Sequence, residues 1–329
     1  MKFRLSYAKI YTEINAAAMP PKGEQMETRK VNPDLQGLVI VNKCEGLSSQ
    51  AVVNRVKRLF GAAKAGHTGT LDPLATGVLP VLLGRAVKAS EFMLTADKHY
   101  GATLLLGITT DTEDVTGEVL TRYGGEMPTE EEVRAAVSSM VGTQLQTPPM
   151  YSALKVGGRK LCDLAREGIT VEREPREITV HAIRCEKISE SEYYLDVTCS
   201  KGTYIRTLCA DIGKRLGTGG AMKTLTRLSA SGFGIALSHT LEELETMTEE
   251  ERLASVIPTE EIFRALPEVT LTPFFGRLAR AGQEIYLKKI GRSFSIGDRV
   301  RLRDASGFFA VGEVREFEDG AAIKPIRQL

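Results

Sequence analysis

Residues 66–77 read Gly66-His67-Thr68-Gly69-Thr70-Leu71-Asp72-Pro73-Leu74-Ala75-Thr76-Gly77. The run cannot be helical through Asp72-Pro73, because the residue before a proline is pushed to extended geometry. Gly66, Gly69 and Gly77 allow close backbone approach or positive φ. The stretch therefore predicts a tight turn presenting His67 and Asp72 from a backbone with little side-chain cover. Read alone, Leu-Asp-Pro is more often an Asx-type turn in which the aspartate bonds its own backbone.

Outward from this loop, apolar runs at 37–42 and 78–83 predict two short buried strands. Between them Ser48 or Ser49 can cap a helix whose Val52, Val56 and Leu59 recur at i, i+4, i+7, with Gly61 as its stop. Strands are predicted over 98–108 and 117–122, the second returning antiparallel to the first. Thr129 and Glu132 form a capping box for a helix with Val133, Ala136, Val137 and Met140 on one face. Residues 146–176 are polar, basic and broken by Pro148, Pro149, Gly157 and Gly158, with one short helix near 160–167. That composition predicts an excursion from the core.

Paired strands follow at 178–188 and 193–200, then a helix marked by Ile205, Leu208, Cys209, Ile212 and Leu216, and a strand over 222–233. Two more capping boxes, Thr240/Glu243 and Thr248/Glu251, lead to Pro258. Beyond it, short strands are predicted at 268–271, 298–303 and 308–314. The fold class is α+β: a mixed-sheet catalytic domain over 37–257 and a small C-terminal β-rich module over 258–329. Residues 1–36 have no clear element and lack the apolar core of a signal peptide. Lys2, Arg4 and Lys9 give them a faint transit-segment character, and Met19 and Met26 are alternative starts. They are read as an extension, disordered or non-native.

At 42% hydrophobic and 26% charged the composition is that of a soluble globular protein, and no apolar run nears the roughly 18 residues of a membrane helix. Net charge is only +1, yet the charge is segregated. Lys and Arg outnumber Asp and Glu eight to four over 38–98, six to one over 201–227 and eight to two over 277–303. Such segments suit a polyphosphate-binding face, although solvated helix faces would look the same. The five cysteines are scattered, lack a Cys-x-x-Cys pair and do not cluster with the four histidines. Neither a disulfide framework nor a metal site is expected, and a reducing cytoplasm fits.

The loop at 66–77, continued through Val78-Leu79-Pro80-Val81, closely resembles the central motif of the TruB-type tRNA pseudouridine synthases. Met150-Tyr151-Ser152-Ala153-Leu154-Lys155 and Lys201-Gly202-Thr203-Tyr204-Ile205-Arg206 match independently, and the resemblance spans residues 37–233. It implies that Asp72 is the catalytic carboxylate, that Arg206 pairs with it and that Tyr100, in Lys98-His99-Tyr100, stacks on the target base. It implies further that His67 holds the splayed RNA loop, that Tyr204 lines the pocket, and that Leu225 and Arg227 form a pocket edge. Lys155, with Arg159 and Lys160, is a candidate phosphate grip. The C-terminal module is similar in type to the small PUA-like RNA-binding module of these enzymes.

Two departures stand out. Cys44-Glu45-Gly46 replaces the usual Lys-Pro-x-Gly start, and Thr226 stands where arginine is common.

The implied reaction isomerises a uridine in the T-loop of transfer RNA, at position 55, by breaking N1–C1′ and joining C5 to C1′. One ionised, oriented carboxylate suffices, attacking C1′ or taking a sugar proton. The arginine beside it should favour the anion. No cofactor or metal is expected, nor an obligatory protein partner, and the enzyme is expected to be a monomer acting on the T-arm. The alternatives are a non-catalytic RNA-binding protein or tRNA folding chaperone on the same scaffold, and a guide-RNA-dependent synthase. A glycosidase fits poorly, because the loop lacks a second carboxylate.

Overall fold

The computed structural model describes residues 31–329. The elements at 37–89 are β1 (Gly37–Lys43), α1 (Ser49–Leu59), β2 (Ala65–His67), β3 (Thr76–Leu83) and a 3-10 turn (Gly84–Ala89). Then come α2 (Ser90–Leu94), β4 (Lys98–Leu106), β5 (Ile108–Thr110), β6 (Val119–Arg122), α3 (Glu130–Ser138) and β7 (Gly142–Gln146). The excursion holds β8 (Lys155–Val156), β9 (Arg159–Lys160) and α4 (Leu161–Arg166). The larger, N-terminal part finishes with β10 (Arg176–Lys187), β11 (Glu192–Cys199), α5 (Ile205–Arg215), β12 (Gly220–Ala230), β13 (Phe233–Gly234), α6 (Leu241–Thr246) and α7 (Glu249–Ala254). The C-terminal module comprises β14 (Glu268–Thr270), α8 (Pro273–Arg280), β15 (Ile285–Tyr286), α9 (Leu287–Ile290), β16 (Arg299–Asp304), β17 (Gly307–Arg315) and β18 (Ala322–Gln328).

The main sheet has nine strands and runs β1-β3-β12-β4-β11-β10-β7, with β2 on β3 and β13 on β12. It is mixed: β12 lies parallel to β3 and antiparallel to β4. Helices α1, α3 and α5 cover one face, and the core between them gathers Val52, Val56, Leu79, Leu104, Val137, Leu195, Leu208 and Ile212. The second sheet, β14-β16-β17-β18-β15, has its own core around Val269, Val300, Leu302, Phe309 and Ile323. The two are glued through Ala89, Phe263, Val311 and Leu329, and by the ion pair Arg327–Glu91. Among the described residues no helix is long and apolar enough to cross a membrane.

The α+β expectation holds, with local differences. The strand expected over 98–108 breaks at Gly107, whose φ of 92° turns the chain so that β5 pairs with β6 in a separate ribbon. The strand expected over 222–233 is a hairpin: Ser231 (φ 57°) and Gly232 (φ 82°) turn β12 into β13. Gly157 and Gly158, both at positive φ, make the same kind of two-residue turn between β8 and β9. Helix α8 was not anticipated. It carries Pro273 at its start and Gly276 within it, has no side-chain cap, and is held by packing.

The extension expected over 1–36 also needs correction where the structure describes it; residues 1–30 lie outside the described residues. Asn32 bridges to Ala62, its amide donating to Gly61 O at 2.9 Å, and Leu35 is only 9% exposed within the main core. Gly84 (φ 60°) seats on the Leu35 carbonyl, which an added Cβ would approach to 2.0 Å. Removing residues 1–36 should therefore cost about 2–3 kcal/mol, the scale of a lost buried leucine. Denaturant titration of the full and shortened chains measures it, and an unchanged midpoint would refute the packing role.

Candidate active site

The loop carrying Asp72 is clamped on both sides of that residue. Before it, the Leu71 amide donates to Ser49 Oγ at 2.8 Å, and Ser49 Oγ donates back to Leu71 O at 2.9 Å. Ser49 is the first residue of α1, so helix and loop are pinned together. After it, Lys43 Nζ donates to Ala75 O (2.6 Å), Pro73 O (3.2 Å) and Cys44 O (2.8 Å). Lys43 has no exposed surface, and burial lowers its ammonium from 10.5 to about 8. A cation kept under that penalty with three carbonyls around it is a structural clamp.

Arg227 closes the loop from beneath. Its Nε donates to Val78 O (2.7 Å) and its Nη2 to Gly69 O (3.1 Å), and it is 1% exposed. At Gly77 (φ 96°) an added Cβ would meet Arg227 O at 2.3 Å, which explains the glycine there. Arg227 keeps a place in the pocket lining and adds a scaffold role, its hydrogen bonds going to Val78 and Gly69.

So clamped, Asp72 turns its carboxylate to Arg206 and not back onto its own backbone. Arg206 Nε lies 3.0 Å from Asp72 Oδ2. Arg206 is 5% exposed and meets three more groups on two further segments: Nη1 donates to Thr112 O (3.1 Å), Nη2 donates to Tyr151 O (2.7 Å), and Nη1 sits 3.8 Å from Asp114 Oδ2.

The electrostatic outcome differs from the sequence expectation. Although 37% of the Asp72 side chain faces the pocket, burial pushes its carboxyl above the usual carboxylate range. Arg206 and Lys43 pull it back down, while Asp114 adds to the rise. Desolvation wins.

A cavity of about 310 Å³ opens above this pair. It is lined by Asp72, Tyr100, Tyr204, Arg206, Leu225 and Arg227, with Thr70, Leu71, Lys98, Ser152, Leu154 and Ser200 among its other walls. Tyr100 and Leu225 are buried neighbours on β4 and β12. Tyr204 precedes α5 and exchanges two backbone hydrogen bonds with the Gln146 amide, at 2.8 and 3.1 Å. Burial raises the hydroxyls of Tyr100 and Tyr204, so both stay neutral donors.

His67 lies at the end of β2, outside the cavity lining. Burial, with Arg227 nearby, lowers its imidazole. Its Nδ1 accepts from the Gly69 amide at 3.3 Å, which leaves Nε2–H as the outward donor. Lys155 is exposed on β8, beside the cavity-lining Leu154 but not itself in the wall.

The structure therefore brings together Asp72, Arg206, Tyr100, Tyr204, Leu225 and Arg227, and sets His67 and Lys155 outside. Sequence reading missed Lys43, Ser49, Asp114 and Gln146. Lys43 ends an apolar run, a signal that could have marked it. Asp114 was hidden in an acidic block, yet it is 5% exposed and its Oδ1 accepts from Thr112 Oγ1 (2.8 Å) and the Thr116 amide (2.9 Å). Among the described residues no group of three or more His, Cys, Asp or Glu is arranged to hold a metal ion.

Residues 57–205 match the model of the TruB family pseudouridylate synthase N-terminal domain, and residues 206–264 that of the tRNA pseudouridylate synthase B C-terminal domain. A protein of Methylobacillus flagellatus named tRNA pseudouridine synthase B is 43% identical over 289 residues, covering 88% of this chain and 94% of that protein. A protein of the same name from Saccharophagus degradans is 44% identical over 293 residues, covering 86% and 93%. Among solved structures, a chain of a Cbf5–Nop10–Gar1 complex aligns with a TM-score of 0.69 at 25% identity, covering 89% of this chain and 84% of that one. Every residue of the Asp72–Arg206 pocket falls inside the matched segments, and on that agreement of sequence, fold and site the chain belongs to the TruB family of pseudouridylate synthases.

Proposed function

We propose that the protein isomerises the uridine at position 55, in the T-loop of transfer RNA, with Asp72 as the carboxylate that acts on the glycosidic bond. The observation that carries this reading is the Asp72–Arg206 pair at 3.0 Å beneath a nucleotide-sized cavity walled by Tyr100, Tyr204 and Leu225. Both curated relatives above carry a tRNA pseudouridine synthase name, which supports transfer RNA as the substrate. The uridine flips out of its loop into the cavity at a cost of a few kcal/mol. Stacking on aromatic rings, worth ~1–3 kcal/mol per base, offsets it. The Asp72 anion then attacks C1′ or takes a sugar proton, N1–C1′ breaks, the uracil turns, and C5 joins C1′ with loss of the C5 hydrogen. The protein acts as a cytoplasmic monomer on unassisted transcript.

Transcript tritiated at uracil C5 tests the proposal: purified protein alone should release label to water at one equivalent per transfer RNA. Tight binding with no release would instead establish the chaperone reading. Release only after adding a guide RNA would establish the guided one.

The C-terminal module supplies a second contact in this reading. Of its basic cluster, Arg280, Arg299, Arg301 and Arg303 are paired with Asp304, Glu313, Glu260 and Glu268. Lys288, Lys289 and Arg292 are exposed, the two lysines within 6 Å of the Tyr286 ring. Reversing these three charges to Glu should weaken RNA binding and flatten the log–log salt slope by about 0.7–0.9 per lost phosphate contact. The single-turnover rate at saturating RNA should be unchanged. Equal affinity and slope for mutant and wild type would show that this face does not touch RNA.

A further inference from the structure

We propose that Lys98, at the mouth of the cavity, grips the backbone phosphate adjacent to the flipped uridine and so helps to select RNA over its isolated nucleoside. The inference deepens the proposed function and rests on it. Lys98 begins β4, two residues before Tyr100 and on the same face of the strand. Its residue is 8% exposed, and its Nζ donates to Leu94 O (3.0 Å) and to Ala96 O, where α2 ends.

An ammonium carries three protons. Among the described residues these two carbonyls are its hydrogen-bond acceptors, and no carboxylate pairs with it. The adjacent Asp97 is turned to His181 at 3.2 Å. Burial and the nearby Arg227 hold the ammonium below the ordinary lysine value. Lys98 is therefore a desolvated cation beside a second cation, with one donor unspent and a cavity in front of it. An arriving anion would relieve that arrangement.

Position decides which anion. Lys98 Nζ is hydrogen-bonded to the carbonyl of Leu94, a lining residue that is 45% exposed. That stretch of the lining is the rim. A nucleotide that enters base first leaves its phosphates there, and the exposed Lys201 adds positive field at the same point.

The test uses synthetic T-arm stem–loops carrying one neutral methylphosphonate linkage, either 5′ or 3′ of the target uridine, beside the all-phosphate parent. One of the two neutral linkages should weaken wild-type binding by about tenfold or more, the scale of one charge-assisted hydrogen bond. Lys98→Met should weaken binding of the parent by a similar factor and then lose little more on the same neutral linkage. Lys98→Arg should recover most of the affinity. The proposal falls if neither neutral linkage affects the wild type, a result that does not depend on how any variant folds. It also falls if Lys98→Met, with an unaltered Tm, remains as sensitive to the linkage as the wild type. Wild-type protein that shows the linkage dependence but releases no tritium would overturn the proposed reaction and leave the phosphate contact standing.

Discussion

Asp72→Asn should bring pseudouridine formation below detection while RNA affinity changes by no more than a few-fold. The substitution is isosteric and removes one charge from a loop held by other groups: Ser49 at Leu71, Lys43 at Pro73 and Ala75, and Arg227 at Gly69. The cavity walls should therefore persist, and what is lost is the anion that the proposed chemistry requires.

Stability should move the other way. Burial raises the folded-state pKa of Asp72 above its unfolded value, so the folded state binds the proton more tightly. The linked stability falls as pH rises through that window and stays reduced above it. The Asn variant should lack this fall and be at least as stable as wild type at neutral pH. Tritium release, filter binding and thermal melts on one preparation check all three statements. Residual turnover by pure mutant protein would remove Asp72 from the catalytic role.

Arg206→Leu should slow the single-turnover rate by about 100-fold or more and shift its pH profile upward. Arg206 is the nearest group opposing the burial-driven rise of the Asp72 carboxyl. Without it the apparent pKa should climb further. In the proposed reaction the rate needs the anion, so it should keep rising with pH over a range in which wild type has levelled. The same change strips the donors from Thr112 O and Tyr151 O and leaves Asp114 facing an apolar side chain. A stability loss of about 3–5 kcal/mol is therefore expected as well.

Arg206→Lys keeps a charge but cannot hold Asp72, Thr112 and Tyr151 at once, and should be intermediate in rate with a near-normal profile. Asp114→Asn supplies the opposite sign. It removes a negative charge that raises Asp72, so the profile should move toward lower pH. Should Arg206→Leu weaken RNA binding while its saturated rate and pH profile stay normal, the arginine is a phosphate contact and not a positioning residue.

Much of the site is legible because its chemistry is local in sequence. Asp72-Pro73 and its glycines announce a turn, and Gly-Thr-Tyr-Ile-Arg announces the start of α5. What sequence reading could not supply is how distant segments share one side chain. Lys43 looks like the polar end of an apolar strand, and only the fold shows it donating 30 and 32 residues away. Arg227 looks like a pocket edge alone, and only the fold shows it also tying the loop to Val78, 149 residues away. Asp114 reads as one of many solvated acids, because nothing in Asp111-Thr112-Glu113-Asp114 distinguishes the residue that faces Arg206. Strand β18 was missed for a different reason: Pro325 argues against a strand, and the structure accommodates it where the register shifts beside Gly312.

The place of β12 has a consequence for the order in which the protein comes to life. This strand is the last long one of the main sheet in the chain, yet it lies between β3 and β4, which are neighbours in sequence. Its parallel contact at Thr226–Thr76 and Arg227–Gly77 closes the end of the Asp72 loop. A nascent polypeptide that has left the ribosome only as far as α5 already carries Asp72, Tyr100 and Arg206. It still has a gap where β12 belongs and no guanidinium beneath the loop. Contacts between such distant residues form late and slowly. A ribosome-tethered chain stalled before residue 220 should therefore ignore RNA that the released protein modifies, so that synthesis itself acts as the timer on when the enzyme begins work.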